Sequence, residues 1–279
     1  HFSVTEQFGI KMIPVPLKNE DLDYDKIAEI AASSPNVKGI WLIPQYSNPS
    51  GITYSDTAVK TMATMKTAAS DFRIFWDNAY CVHHLDFEDV HEVFDIGQAC
   101  KIAGNEDRYL KFTSTSKITV PGAVIAWLAA SKDNINEITN WMSIQTIGHD
   151  KVNMMRHVKF LKDKAHILEI MKQHAQILKP KFDIVLNTLE ENFGSSDICS
   201  WIRPKGGYFV LFKARPGQAK HIVELCDQAG VTLTGAGATW PYGNDPNDSE
   251  IRIAPSCPSC DDLQKAMDIF CCCVKLAAK

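Results

Sequence analysis

Gly39-Ile40-Trp41-Leu42-Ile43-Pro44, running on into Gln45-Tyr46-Ser47-Asn48-Pro49-Ser50-Gly51, is a short apolar run that empties into a turn. Such a run reads as a strand buried on both faces, as strands of parallel sheets are. Asn-Pro-Ser-Gly is turn chemistry, because Pro fixes φ and Gly accepts positive φ. The pattern recurs downstream. Phe72-Arg73-Ile74-Phe75-Trp76-Asp77 is the next strand, Tyr109 to Phe112 another, and Ala123 to Ala130 a third. Helical spacing appears from Asp23 to Ala32 (Tyr24, Ile27, Ile30, Ala31) and from Ser55 to Ala69, with Asp56 in the first turn. This alternation predicts an α/β fold, a three-layer α/β/α arrangement around a mostly parallel sheet. Upstream, Phe8 to Pro14 resembles a strand with its lead-in, so the sequence reads as entering in the middle of an α/β unit.

The second half differs. From Asn134 to about Leu189 the pattern is helical, broken only at Pro180. Gly206 to Phe212 then reads as a strand, Gly217 to Ala229 as a helix, Val231 to Thr234 and Ile251 to Ala254 as strands, and Cys260 to Leu276 as a closing helix. These elements predict a partial large domain over residues 1–155, then a connecting helix and a smaller α+β C-terminal domain over 156–279.

The 279 residues are 45% hydrophobic and 22% charged, with net charge -4, enough apolar material for a sizeable core. That charge leaves no electrostatic footprint for nucleic acid or an acidic membrane surface. No apolar run is long enough to span a bilayer, and His1 to Glu6 has no character of a secretory signal. Nine cysteines make an odd count without framework spacing, and Cys271-Cys272-Cys273 sits in an apolar helical tail. The reading is a reduced, cytoplasmic compartment.

Four polar elements lie at or beside predicted strands, where open α/β sheets place ligands. Asn48 follows the first strand and is either part of a tight turn or a rigidly held hydrogen-bonding amide. Asp77-Asn78-Ala79-Tyr80 follows the second; its carboxylate is either a helix cap or the partner that keeps a pyridine nitrogen protonated. Ser114-Thr115-Ser116-Lys117 follows the Tyr109 to Phe112 strand; its hydroxyls suit a phosphate and its amine suits an imine to an aldehyde. A Ser-x-x-Lys also occurs in penicillin-binding enzymes, but their Ser-Asp-Asn and Lys-Thr-Gly companions are missing. Arg252, between Ile251 and Ile253, is either a structural salt-bridge partner or a guanidinium fork for a carboxylate.

Taken together and in this order, these elements resemble the fold-type I pyridoxal-phosphate aminotransferases. The resemblance is nearest to a divergent bacterial aspartate aminotransferase subgroup with Tyr-Ser-Asn-Pro-x-Gly, Asp-Asn-Ala-Tyr-x-Val-His-His and Ser-Thr-Ser-Lys. Here these read Tyr46 to Gly51, Asp77 to His84 and Ser114 to Lys117, and Pro204 to Phe209 matches the small-domain strand. The resemblance implies pyridoxal 5'-phosphate as cofactor. Lys117 would bond to it covalently and move the α-proton. Asp77 would pair with the pyridine nitrogen, Asn48 and Tyr80 would contact the phenolic oxygen, and Ser114 and Ser116 would hold phosphate. Arg252, with Asn48 beside it, would bind the substrate α-carboxylate. Aspartate and 2-oxoglutarate are the implied amino-acid and 2-oxo-acid substrates, and the full-length protein would be a homodimer.

The family's Gly-x-Arg-x-Gly run after the lysine is absent; Gly122-Ala123-Val124-Ile125-Ala126 has no Arg, as in the named subgroup. The family's N-terminal phosphate loop and ring-stacking aromatic are not found in the sequence either, so the chain resembles an N-terminally truncated enzyme. Lyases and decarboxylases share the same constellation, and some transcription regulators carry a non-catalytic domain of this kind. His83-His84 with His91 fits no zinc spacing. Cys257-Pro258-Ser259-Cys260 lacks a second pair and reads as a loop before the last helix. Gly235-Ala236-Gly237 lacks a dinucleotide fingerprint and reads as a substrate-side loop.

Overall fold

Local capping chemistry places the helices. The structure, a computed structural model, describes all residues 1–279. Asp23 accepts from the Lys26 amide to start α2 (Tyr24–Ser33), and Ser55 accepts from the Ala58 amide to start α3 (Asp56–Thr64). These bonds satisfy amide groups that a first turn leaves without partners. Before them, α1 (Phe2–Gln7) and a hairpin of β1 (Leu17–Lys18) and β2 (Asp21–Leu22) open the chain. Phe8 to Pro14 is not a strand: no neighbour offers a ladder, and Phe8, Ile10 and Ile13 remain exposed.

The sheet that carries the site runs in the order β3 (Gly39–Leu42), β4 (Arg73–Asp77), β5 (Tyr109–Ser114), β6 (Ala126–Ala130). The first three are parallel and β6 returns antiparallel to β5, so the sheet is mostly parallel as expected. Leu42, Ile74 and Trp76 on one face pack with Ile27 and Ala31 of α2, Met62 of α3, and Ile96 and Ala99 of α4 (Ile96–Ile102). Side-chain alternation puts Trp41, Phe75, Asp77, Phe112 and Ser114 on the opposite face. There Trp41 stacks on Phe75 at 5.6 Å and Phe75 on Phe112 at 6.2 Å, with His1 stacked on Trp41 at 4.6 Å. The β3 run is therefore buried on one face only, and Trp41 is 40% exposed.

The helical stretch after the sheet is three helices: α5 (Lys132–Gln145), α6 (Lys151–Leu161) and α7 (Lys164–Phe193). Its breaks fall at Asp150 and Asp163, each of which caps the next helix. Pro180 does not end α7, because Met171 and Ala175 before it and Phe182, Val185 and Leu189 after it are all buried. A three-stranded antiparallel sheet, β7 (Cys199–Trp201), β8 (Val210–Ala214) and β9 (Glu250–Ile253), packs with α7, α8 (Ala219–Gln228) and α9 (Cys260–Ala277) into a second core. The expected strand at Val231–Thr234 is instead loop, and Gly206 to Phe209 is a turn leading into β8.

The second core is centred on Phe212 and Phe270, edge to face at 4.9 Å and both essentially inaccessible. Phe270→Ala should destabilise the protein by about 3–5 kcal/mol, through lost transfer energy plus a cavity, read as a lowered urea midpoint.

Candidate functional site

Because β3, β4 and β5 are parallel, the loops that follow them open at one edge of the sheet. The first loop, Gln45 to Gly51, carries a cis Asn48-Pro49 bond and ends at Gly51 with φ +74°. A Cβ at Gly51 would meet Pro204 Cβ at 2.7 Å, so the turn seats tightly against the second lobe. Next in the chain, residues 83–85 pair with 205–207: Gly207 N–H donates to the His83 carbonyl at 2.8 Å and Leu85 N–H to the Lys205 carbonyl at 3.0 Å. Gly206 admits no side chain, since a Cβ would stand 2.4 Å from both the His83 carbonyl oxygen and the Tyr46 ring. This junction brings the two lobes' polar residues into one cleft.

Asp77 ends β4 beside Phe112 of β5. Burial pushes its carboxyl above the usual range, while the Trp41 indole N–H and the Lys117 ammonium pull it down. Lys117 Nζ lies 5.2 Å from the centre of the Tyr80 ring. Tyr80 is buried; desolvation raises its phenol to about 12, Asp77 adds to the rise, and Arg252 and the Asn48 side chain oppose it. Asn48 Oδ1 accepts from Arg252 Nη1 at 3.0 Å. The guanidinium also lies over Phe209 at 4.4 Å and reaches Thr234 Oγ1 through Nη2 at 3.4 Å. Arg252 Nε is buried without any partner. Thr234, which stands just before Gly235, brings the start of that loop beside Arg252.

Ser114 donates to Ser116 at 2.8 Å, leaving two hydroxyls side by side at the end of β5. Between them Thr115 is fully buried. Its main-chain N–H donates to the Ile125 carbonyl at 2.9 Å, and its hydroxyl accepts from the Ile125 amide at 3.0 Å. His157 Nδ1 donates to the Asn153 carbonyl at 3.0 Å, so its Nε2 is a lone pair that accepts from Thr115 Oγ1 at 3.1 Å. Thr119 Oγ1 is 3.1 Å from the same nitrogen. The Thr115 carbonyl accepts from the Ile118 and Thr119 amides, closing one helical turn around Lys117. No sequence spacing announces His157, which lies 42 residues from Thr115.

The structure thus gathers Asn48, Tyr80, Lys117 and Arg252 around one cleft, with Asp77 coupled electrostatically to Lys117 and Tyr80, and Ser114 and Ser116 just before the lysine turn. This donor set fits pyridoxal 5'-phosphate: an amine, a carboxylate, an amide and phenol pair, two adjacent hydroxyls, and a buried guanidinium N–H left open. No group of three or more His, Cys, Asp or Glu side chains could hold a metal. All nine cysteines are free, with Cys257 exposed ahead of α9 and Cys260 exposed as its first residue, and no helix is long and apolar enough to cross a membrane.

The sequence profile of the aspartate amino-transferase family matches residues 1–279. The chain belongs to that family. A Mycolicibacterium smegmatis relative that carries an aminotransferase name is 46% identical over 278 residues, covering all of this chain and 65% of that protein. The crystal structure of an aspartate transaminase from Corynebacterium glutamicum superposes with TM-score 0.96 at 41% identity, over all of this chain and 65% of that one. This member therefore spans about two thirds of the length of the relatives it matches. The Thermus thermophilus α-aminoadipate aminotransferase LysN, complexed with N-(5'-phosphopyridoxyl)-L-leucine, shares the fold at TM-score 0.81 and 19% identity, over 99% of this chain and 69% of that one.

His83 gives this family member's site a pH signature. Burial holds its ring neutral, with the pKa lowered from 6.5 to about 4, against the opposing pull of its bond to the Lys117 carbonyl. The unfolded chain takes up that proton below about pH 6.5, so the contribution is whole above that value and is lost as pH falls toward 4. Melting temperature should fall across this window, by the equivalent of up to about 3 kcal/mol from this residue, and His83→Gln should flatten the slope.

Proposed function

We propose that the chain is the cofactor- and substrate-holding portion of a pyridoxal-phosphate-dependent aminotransferase. It would move an amino group between an amino acid, aspartate by family resemblance, and a 2-oxo acid, 2-oxoglutarate by the same resemblance. The observation that carries this reading is the placement of Lys117 over Tyr80, in electrostatic reach of Asp77, in the cleft where Arg252 leaves a buried N–H unpartnered.

Lys117 would hold the cofactor's aldehyde carbon, Asp77 its ring nitrogen, Tyr80 and Asn48 its phenolic oxygen, and Ser114 with Ser116 its phosphate. When bound, pyridoxal 5'-phosphate supplies an aldehyde for amine capture and a ring that withdraws electrons from the substrate α-carbon. Arg252 would receive the α-carboxylate through its guanidinium N–H groups, with Phe209 and Asn48 holding the fork in place. With the substrate amine in its place on the aldehyde carbon, the freed Lys117 amine would be within the cleft to take the proton from the α-carbon and hand it back to the carbon that becomes the amine's new home. The buried Tyr80 remains a neutral donor at neutral pH.

Homodimerisation of the full-length protein belongs to the same proposal. Trp141, Ile144, Ile147, Met155 and Phe160 on and between α5 and α6 are exposed, and Ile144 is 87% accessible. So much apolar surface on neighbouring helices is unusual for a monomer. Trp141→Ser with Ile144→Ser should shift the full-length protein toward monomer in sedimentation.

Borohydride treatment of the full-length protein with pyridoxal 5'-phosphate should leave a reduced adduct on Lys117, located by mass spectrometry. Incubation with aspartate and labelled 2-oxoglutarate should yield labelled glutamate. Lys117→Ala should lower turnover at least about a thousandfold, and Arg252→Lys should cost about tenfold to a hundredfold in kcat/KM. Cofactor-free protein that binds amino acids without turnover would favour a non-catalytic domain instead.

A further inference from the structure

Lys117's carbonyl oxygen is left free by its own turn, whose bonds converge on the Thr115 carbonyl. Two side chains occupy it. His83 Nε2 lies 3.2 Å away and Tyr208 Oη donates at 3.3 Å. A carbonyl only accepts, so His83 must carry its proton on Nε2, which leaves Nδ1 as a bare lone pair. That Nδ1 is buried and has no partner, in a side chain only 3% exposed. Packing alone does not explain the residue: an apolar side chain would fill the site without orphaning a polar atom.

The two donors come from different parts of the molecule. His83 follows β4, and Tyr208 belongs to the turn before β8. Their rings are 5.5 Å apart, and both lie near Tyr80, at 5.7 Å and 6.1 Å. The main chain of His83 is itself pinned by the Gly207 amide. The root of the lysine is therefore fixed at the seam between the lobes, while its tip lies over Tyr80.

We propose that His83 is a positioning residue for Lys117: with Tyr208 it fixes the lysine main chain so that the amine stays directed over Tyr80 and into the cleft. His83 touches neither substrate nor cofactor and acts through Lys117. The proposal rests on Lys117 being the cofactor lysine, and the test separates the two ideas.

The experiment uses the full-length protein and three variants: His83→Leu without a donor, His83→Gln with an N–H near the Nε2 position, and Tyr208→Phe without the second donor. Melting temperature and circular dichroism follow folding. Reductive methylation of the cofactor-free protein, resolved by residue in mass spectrometry, follows the accessibility and reactivity of Lys117 against the other lysines. Steady-state kinetics with aspartate give kcat and KM separately.

His83→Leu should change the Lys117 methylation rate and lower kcat about tenfold or more, as small misplacements of a reacting group do, with KM within about threefold. His83→Gln should recover both to within about threefold of the parent, and Tyr208→Phe should fall between. Equal losses in the Leu and Gln variants, tracking their melting temperatures, would reduce His83 to packing and overturn the proposal. Leu behaving as the parent would overturn it equally. If the unsubstituted protein forms no borohydride-fixable adduct at Lys117, the aminotransferase reading falls first and takes this one with it.

Discussion

Three parallel strands that end at the same edge of a sheet cannot send their following loops to different places. That constraint assembles the cleft. Tyr46 to Gly51, Asp77 to Tyr80 and Ser114 to Lys117 are far apart in the chain, yet each is the segment that leaves β3, β4 or β5. The antiparallel return of β6 then holds the last of them, because Ile125 bonds to both the main chain and the hydroxyl of Thr115. A sheet of mixed direction at β3 to β5 would scatter the amine, the carboxylate and the amide over both edges.

The second lobe completes the arrangement through close backbone approach. Gly206 and Gly51 are places where a side chain would collide with the other lobe at well under 3 Å. Arg252 enters from β9 and meets Asn48 across 204 positions of sequence. The helices and strands of that lobe have their own core, from Phe182 to Val274, so the guanidinium is carried on a rigid support. The sheet's site-bearing face is different. It carries the stacked Trp41, Phe75 and Phe112, while the helices α2, α3 and α4 cover the other face.

What could be read from the sequence was local. Apolar runs gave three of the site-bearing strands, and turn residues and strand-end polar groups gave Asn48, Asp77, Tyr80, Lys117 and Arg252, because each signal is written within a few adjacent residues. The errors have physical reasons too. Val231 to Thr234 has the composition of a strand but forms no ladder with β9, whose only partner is β8, and Phe8 to Pro14 likewise lies alone. The helix breaks at Asp150 and Asp163 were visible as capping residues but were masked by continuous helical spacing. His83 and His157 were not legible at all as hydrogen-bond partners of the turn that carries Lys117. Their partners lie 34 and 42 residues away, and a buried histidine has no periodicity of its own.

The amide of Asn48 lies between the charged guanidinium of Arg252 and the neutral phenol of Tyr80. Its oxygen accepts a hydrogen bond from the Arg252 guanidinium, and the Asn48 side chain opposes the rise of the Tyr80 phenol. A charged donor polarises the amide it bonds, and a polarised amide is a stronger donor in turn. An anion arriving on the guanidinium would cancel part of the positive charge that opposes the rise of the Tyr80 phenol, and so would weaken the acidity of a group it does not touch.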